Sequence, residues 1–282
     1  PVLADSLKRA APLLQAAPSA KSIYYKSGGA PYRAGELLRQ PLLAATLRRI
    51  AEQGRSGFYL GPVAEQLEAL MQQRGGLSDR QELVAYRAPW GEPVQGRFRG
   101  LKVLSMPPPS SGGLALLQPL ALLNQTSNLT NSTAGDPQIW RLLARAQAWS
   151  DADRLYWVHD PMDGAIPTGP LLDPAYIQSR AIALQTSPAA RPTPGLPPGL
   201  AAYPYALPEQ SREQGTTHLA IVDGQGNLAA YTSSVETVFG SRHLVAGMVL
   251  NNQLTDFAFR PSINGQPVAN PDSYTHLRAH KT

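Results

Sequence analysis

Apolar residues recur at helical spacing along most of the chain and switch to alternation near its last quarter. Residues 42–53 predict a helix: Pro41 stands at its start, Leu43, Leu47, Ile50 and Ala51 share a face, and Gly54 ends it. Residues 62–73 repeat the scheme with Pro62, then Val63, Leu67, Leu70 and Met71, then Gly75-Gly76. Ser78-Asp79-Arg80-Gln81 fits a capping box and predicts a short third helix. Val94, Phe98, Leu101, Val103 and Leu104 are spaced for strands over 92–106, punctuated by Gly96 and Gly100. Met106-Pro107-Pro108-Pro109-Ser110-Ser111-Gly112-Gly113 then leads into the apolar run from Leu114 to Leu123. Prolines hold that entry extended and the glycines permit a tight turn into a helix, whose first amides can bind an anion. Asp136-Pro137 and Asp173-Pro174 are cap-and-first-residue pairs for helices to about 156 and about 184. Ile139, Leu142, Leu143, Ala146 and Trp149 form the inward face of the first of these.

Residues 186–208 are rich in Pro, Ala and Gly without period and read as a linker or long surface loop. After Thr216 the pattern alternates. Thr217, Leu219 and Ile221 interleave with His218, Ala220 and Val222, Gly224-Gln225-Gly226-Asn227 makes a hairpin turn, and 228–234 returns as the partner strand. A third strand is expected at 247–252 after a break at Gly240. Apolar residues on both faces of the first two strands predict burial from both sides.

Composition narrows the function classes. Of 282 residues, 43% are hydrophobic and 16% charged, which suits a globular domain, and no apolar run approaches the roughly 18 residues of a membrane span. The net charge of +5 is scattered rather than gathered into a basic stripe, so nucleic acid is not an expected partner. With no cysteine there are no disulfides or thiolate metal sites, and the five histidines show no metal-ligand spacing. His218, two residues from Thr216 and on the same side of its strand, reads as structural. The chain opens on Pro1 without methionine, so its true start is expected to lie upstream. Residues 273–282 carry neither period and are expected to be a non-native tail.

Chemistry concentrates at the composition change. Thr216 follows Gly215, opens a strand, and ends a proline-rich stretch. A threonine hydroxyl is a weak nucleophile, but cleavage of the 215–216 bond would place a free α-amine beside it. That amine, with a pKa of about 8 against about 10.4 for lysine, is a general base already in position. Alone, Thr216 is equally a β-branched residue at a strand start.

Three further pieces stand with it: 232–240 (Thr-Ser-Ser-Val-Glu-Thr-Val-Phe-Gly), 250–257 (Leu-Asn-Asn-Gln-Leu-Thr-Asp-Phe) and the Pro107–Gly113 stretch. Together with Gly57-Phe58-Tyr59 and Ala152-Asp153-Arg154, they resemble the γ-glutamyltranspeptidase family of N-terminal-nucleophile hydrolases, from about Val2 to about Asn270. The resemblance implies an α/β fold, an incomplete portion of a four-layer αββα sandwich. It implies a large-subunit part at 1–185, a linker at 186–215 ending in a self-cleavage site between Gly215 and Thr216, and a small-subunit start at 216–272. The two subunits would pair after the cut.

Thr216 would be the nucleophile. Ser234, where the family usually has threonine, would orient it. Glu236, Gln253 and Asp256 would hold the substrate's amino-acid head, with Asp256 on the α-ammonium. Glu236 stands where many members have asparagine and adds a second carboxylate, which disfavours an acyl group lacking an amine. The implied reaction is acyl transfer from glutathione or a related γ-glutamyl amide to water or an amino-acid or peptide acceptor, with no metal or organic cofactor, in a periplasmic or secreted setting. An arginine for the α-carboxylate, a serine pair and a Gly-Gly oxyanion hole are not identifiable, so this length of chain is expected to be nearly inactive. A glutaryl-type acylase and a non-catalytic binding homologue are the alternatives. Ser110-Ser111-Gly112-Gly113 also resembles an amidase-signature stretch, but no suitably spaced lysine accompanies it.

Overall fold

The computed structural model describes residues 2–108, 110–126, 135–158, 166–187, 192–202, 216–256, 259–260 and 262–268. In chain order the elements are α1 (Val2–Arg9), α2 (Ala11–Gln15), α3 (Pro18–Tyr24), α4 (Pro41–Gln53), α5 (Ser56–Tyr59), α6 (Pro62–Arg74) and α7 (Arg80–Ala85). Then come β1 (Val94–Phe98), β2 (Leu101–Ser105), α8 (Gly112–Asn124), α9 (Pro137–Trp157), α10 (Thr168–Leu171) and α11 (Pro174–Thr186). The last stretch holds β3 (Thr217–Val222), β4 (Leu228–Ser233), β5 (Leu244–Val245), β6 (Met248–Val249), a 3-10 turn at Gln253–Asp256, β7 (Ser262–Ile263) and β8 (Gln266–Pro267).

Prolines and acidic caps set the longer helices where the sequence places them. Pro41, Pro62, Pro137 and Pro174 each take the first helical position, where the missing N–H would have had no partner anyway. Asp136 accepts from the Gln138 amide at 2.8 Å, and Asp173 from those of Ala175 and Tyr176 at 2.9 and 3.1 Å. Gly75 closes α6 in the left-handed conformation. The capping box expected at 78–81 is shifted by one residue: Asp79 is the cap and accepts from the Glu82 amide at 2.9 Å.

The chain divides into two compact units, Pro1–Pro89 with Arg212–Gln253, and Trp90–Ser211 with Leu254–Thr282. In the first, Leu7, Leu14, Ala20, Tyr24 and Tyr25 pack with Phe239. The Tyr24 and Phe239 rings meet edge-on, 5.3 Å apart. A second cluster joins Val63 and Leu67 to Val245. The buried side of α4 differs from the expected stripe: Thr46 points inward and Leu47 is 56% exposed. The Thr46 hydroxyl donates to the Ala246 carbonyl at 2.7 Å, which turns that face toward the β5–β6 hairpin.

The third strand expected at 247–252 is instead this two-residue hairpin, followed by the 3-10 turn. Ala246 and Gly247 both have positive φ, at +51° and +81°, as a tight primed turn requires. A Cβ on Gly247 would stand 2.2 Å from the Leu43 amide nitrogen, so backbone proximity fixes the turn there.

In the second unit β1 and β2 pair antiparallel through Arg99-Gly100, also both at positive φ. A Cβ on Gly96 would meet Leu117 of α8 at 2.8 Å, a measure of how closely the hairpin lies on that helix. Helices α8, α9 and α11 share a core of Leu122, Leu123, Ala146, Trp149, Ile177, Ala181 and Leu184. The buried Asp153–Arg180 ion pair crosses from α9 to α11 at 2.8 Å.

The expectation of two-sided burial for β3 and β4 is corrected. Every residue of both strands is exposed, Leu228 to 79%. The two strands pair only with each other, and no further described strand extends the sheet. Apolar residues on two faces need cover on two faces, and a lone hairpin among the described residues does not provide it.

Gly113 offers a check on the second unit. A Cβ there would lie 2.1 Å from the Met106 carbonyl oxygen and 2.5 Å from Val94 Cγ2, so Gly113→Ala should destabilise the protein by about 1–3 kcal/mol. Gly135→Ala, at an exposed position with open space around it, should stay within about 0.5 kcal/mol. Urea midpoints measure both.

Candidate active site

Strand register builds the site. Thr217 pairs with Ser233 and His218 with Thr232, and the next step outward sets Thr216 opposite Ser234. Side chains alternate across a strand, so Thr216, His218, Thr232 and Ser234 share one face. The Thr216 hydroxyl donates to Ser234 Oγ at 3.2 Å. His218 Nδ1 and Thr232 Oγ1 are hydrogen-bonded at 2.7 Å, which accounts for the histidine structurally.

The register is held from the far end. Asp223 accepts from the amides of Gln225 and Asn227 and from the Asn227 side chain, at 2.8–2.9 Å. The Asn227 side chain, then its amide, hold the Asp223 carboxyl below its ordinary range.

Past β4 the chain turns sharply. The Glu236 amide donates to Ser234 Oγ at 2.9 Å. Ser234 Oγ thus receives both Thr216 and the turn. Glu236 has φ +71°, a left-handed conformation uncommon outside glycine. Asn252 holds it there. Its Nδ2 donates to Glu236 Oε2, and its Oδ1 accepts from the Thr237 amide and hydroxyl at 3.2 and 3.0 Å. The Asn252 amide donates to the Val235 carbonyl at 3.3 Å. One asparagine therefore fastens three consecutive residues of the turn.

Of the residues singled out in the sequence, Thr216, Ser234 and Glu236 are linked through Ser234 Oγ. Gln253 is buried directly after Asn252, its amide donating to Asn251 Oδ1 at 2.9 Å. Asp256 ends the 3-10 turn, and its side chain lies outside the described residues, as does Gly215. Asn252 was visible only as part of a motif, and no local pattern announces its hold on Glu236. The left-handed backbone at Glu236 has no sequence signal, since glutamate is not a turn residue. Chemically, the arrangement presents an exposed hydroxyl with a fixed hydrogen-bond partner and a half-buried carboxylate two residues further on. No group of three described His, Asp or Glu side chains is placed to hold a metal ion, and no described helix is long and apolar enough to cross a membrane.

The family model for gamma-glutamyltranspeptidase matches residues 1–282. The chain belongs to the gamma-glutamyltranspeptidase family. It is 36% identical over 264 residues to the glutathione hydrolase proenzyme of Escherichia coli, covering 93% of this chain and 44% of that protein. The glutathione hydrolase proenzyme of Pseudomonas aeruginosa is 37% identical over 82% of this chain and 40% of its own. An acylase ACY 1 proenzyme of a Pseudomonas species is 31% identical over 83% and 40%. The chain thus spans less than half the length of these curated relatives.

Among solved structures, the gamma-glutamyltranspeptidase of Helicobacter pylori matches with a TM-score of 0.62 and 33% identity, over 68% of this chain and 56% of that one. A cephalosporin acylase of Bacillus halodurans matches with a TM-score of 0.72 over 98% and 49%, and at 24% identity it shows the fold alone. These likenesses, with the mixture of helices and small antiparallel sheets, bear out the expected N-terminal-nucleophile hydrolase fold class of the family.

The part played by Asn252 can be measured. Asn252→Ala should release the turn, speeding hydrogen exchange at the Glu236 and Thr237 amides at least about tenfold, equivalent to ~1.4 kcal/mol of local stability. Exchange at the α3 amides that precede Tyr24 should be unchanged.

Proposed function

We propose that this chain carries the nucleophile of a self-cleaving γ-glutamyl acyltransferase, with Thr216 as the attacking residue. The observation that carries the reading is the Thr216–Ser234 hydroxyl pair at the head of β3, in a family whose relatives are named as proenzymes. In the first reaction Thr216 Oγ adds to the Gly215 carbonyl carbon and the amide nitrogen departs as the α-amine of Thr216. Water then hydrolyses the resulting ester, leaving a Gly215 carboxylate and an N-terminal threonine. In the second, that amine takes the hydroxyl proton as Oγ attacks a γ-glutamyl amide. An ester forms, the amine of the substrate leaves with a proton, and water or an acceptor amine resolves the ester. Ser234 orients Oγ. Glu236, Gln253 and Asp256 receive the amino-acid head of the substrate, with the carboxylates toward its α-ammonium. The pieces 1–215 and 216–282 stay paired after the cut, and no cofactor takes part. With no arginine for the α-carboxylate and no oxyanion donors identifiable in this stretch, turnover by residues 1–282 alone is at least about 100-fold reduced.

The purified chain should resolve by intact mass into two fragments, the second beginning with Thr216. Thr216→Ala should remain whole, and Ser234→Ala should be cut at least about tenfold more slowly because its nucleophile is no longer aligned. A chain that stays uncut would instead favour a non-catalytic binding homologue.

The acylase relative supports a second reading, removal of glutaryl-type side chains. Competition decides between them. L-glutamate should compete with a γ-glutamyl anilide better than glutarate does, and Glu236→Gln should shrink that preference about tenfold, or ~1.4 kcal/mol. Equal competition by glutarate would favour the acylase.

A further inference from the structure

The proline-rich stretch is not loose along its whole length. Thr193–Pro197 lies against α9 and α11 and is fastened at three backbone atoms. The Gly195 amide donates to Asp153 Oδ1 at 2.8 Å, the Gly195 carbonyl accepts from Trp157 Nε1 at 2.9 Å, and the Thr193 carbonyl accepts from Arg180 Nη1 at 3.1 Å. Pro197 is fully buried. Gly195 admits nothing larger, since a Cβ there would stand 2.3 Å from the Tyr176 hydroxyl and 3.0 Å from Arg180 Cδ.

The side chains that grip this segment are themselves fixed. Asp153 is 1% exposed and Arg180 6%. Besides Gly195, the Asp153 carboxylate accepts from Gln118 Nε2 and the Tyr176 hydroxyl at 2.8 Å each and from Arg180 Nε at 3.1 Å, with Arg180 Nη2 at 2.8 Å from Oδ1. Arg180 Nη2 also donates to the Trp149 carbonyl at 3.0 Å, and its guanidinium lies 4.4 Å from the centre of the Trp149 ring. A buried ion pair gains little unless its remaining hydrogen-bonding capacity is used. Here part of that capacity is spent on the passing backbone, so the segment completes the pair and the pair holds the segment. A helix-to-helix brace alone would not need an exposed-composition stretch such as Pro-Thr-Pro-Gly-Leu-Pro to supply its last donor.

We infer that Asp153 and Arg180 form a clamp on the backbone at Thr193–Gly195, which keeps the proline-rich segment bound as far as Pro197 whether or not the chain is broken at 215–216. The second half of that statement rests on the self-cleavage proposed above. The clamp then fixes the segment on the upstream side of the cut: residues up to Pro197 remain part of the folded body, and Leu200 beyond them packs against the core of Leu114, Trp157 and Tyr176. Asp153 and Arg180 are positioning residues in this sense and touch no reacting atom.

Hydrogen exchange and limited digestion with a broad-specificity protease test the clamp on the full chain. In the parent, the Gly195 amide should exchange at least about 100-fold more slowly than in an unstructured peptide, and the uncut and cut forms should protect it equally. In Gly195→Ala, cleavage by the protease within 192–197 should quicken at least tenfold, while exchange in α8, α9 and α11 stays within about threefold of the parent. Trp157→Phe, which removes one donor and keeps an aromatic ring, should act in the same direction by less, and serves if Gly195→Ala does not fold. Fast exchange at Gly195 in the uncut parent would overturn the clamp, as would equal protease rates in parent and variants. Protection lost on cutting would overturn the retention of the segment. If no cut at 215–216 occurs, the self-cleavage reading fails and the exchange rate of the uncut chain alone decides the clamp.

Discussion

A slip of one residue between β3 and β4 would turn Ser234 to the face opposite Thr216, and the site would not exist. The activity proposed for this chain depends on that register. It is secured at the closed end of the hairpin, where the Asp223 carboxylate gathers two amides and the Asn227 side chain, and at the open end by Ser234 itself, which binds both the first residue of one strand and the turn after the other. The strands between contribute little burial, since all their residues are exposed. Polar groups at two ends, rather than packing along the length, define the alignment among the described residues.

The unit formed by Trp90–Ser211 with Leu254–Thr282 is built the other way. Its three long helices enclose a charge pair, and that pair reaches a proline-rich segment through main-chain atoms alone. Main-chain recognition constrains the segment's path while leaving the Thr193 and Leu196 side chains exposed, Leu196 to 60%. Pro197 is buried, and glycine is required at 195 by the lack of room beside Tyr176.

Much of this was readable from the amino acids. Proline at the first helical position marks α4, α6, α9 and α11, and aspartate just before it marks α9 and α11, because those residues remove or satisfy amides that a helix start leaves unpaired. The β1–β2 and β3–β4 hairpins follow from alternation and glycine. What could not be read depends on partners remote in sequence. Thr46 faces inward because of a carbonyl two hundred residues away, and the expected strand after Gly247 is cut short by the start of α4. Asp153 stood out only as part of a short motif, while its partners lie on three other segments. In the site, Thr216, Ser234 and Glu236 were legible as residues, but the hydroxyl that joins them and the asparagine that braces the turn emerge only from the folded backbone.

The left-handed backbone at Glu236 bears on how this site can vary through evolution. Asparagine tolerates that conformation better than glutamate does, whereas valine, isoleucine and threonine are strongly disfavoured in it. Exchange between Glu and Asn at this position therefore meets no backbone barrier, and drift to a β-branched residue does. A single substitution can add or remove a full negative charge beside the Thr216–Ser234 pair while the turn keeps its shape. Lineages carrying either residue can share one scaffold, and on the function proposed above they would differ in how strongly they favour a cationic acyl donor.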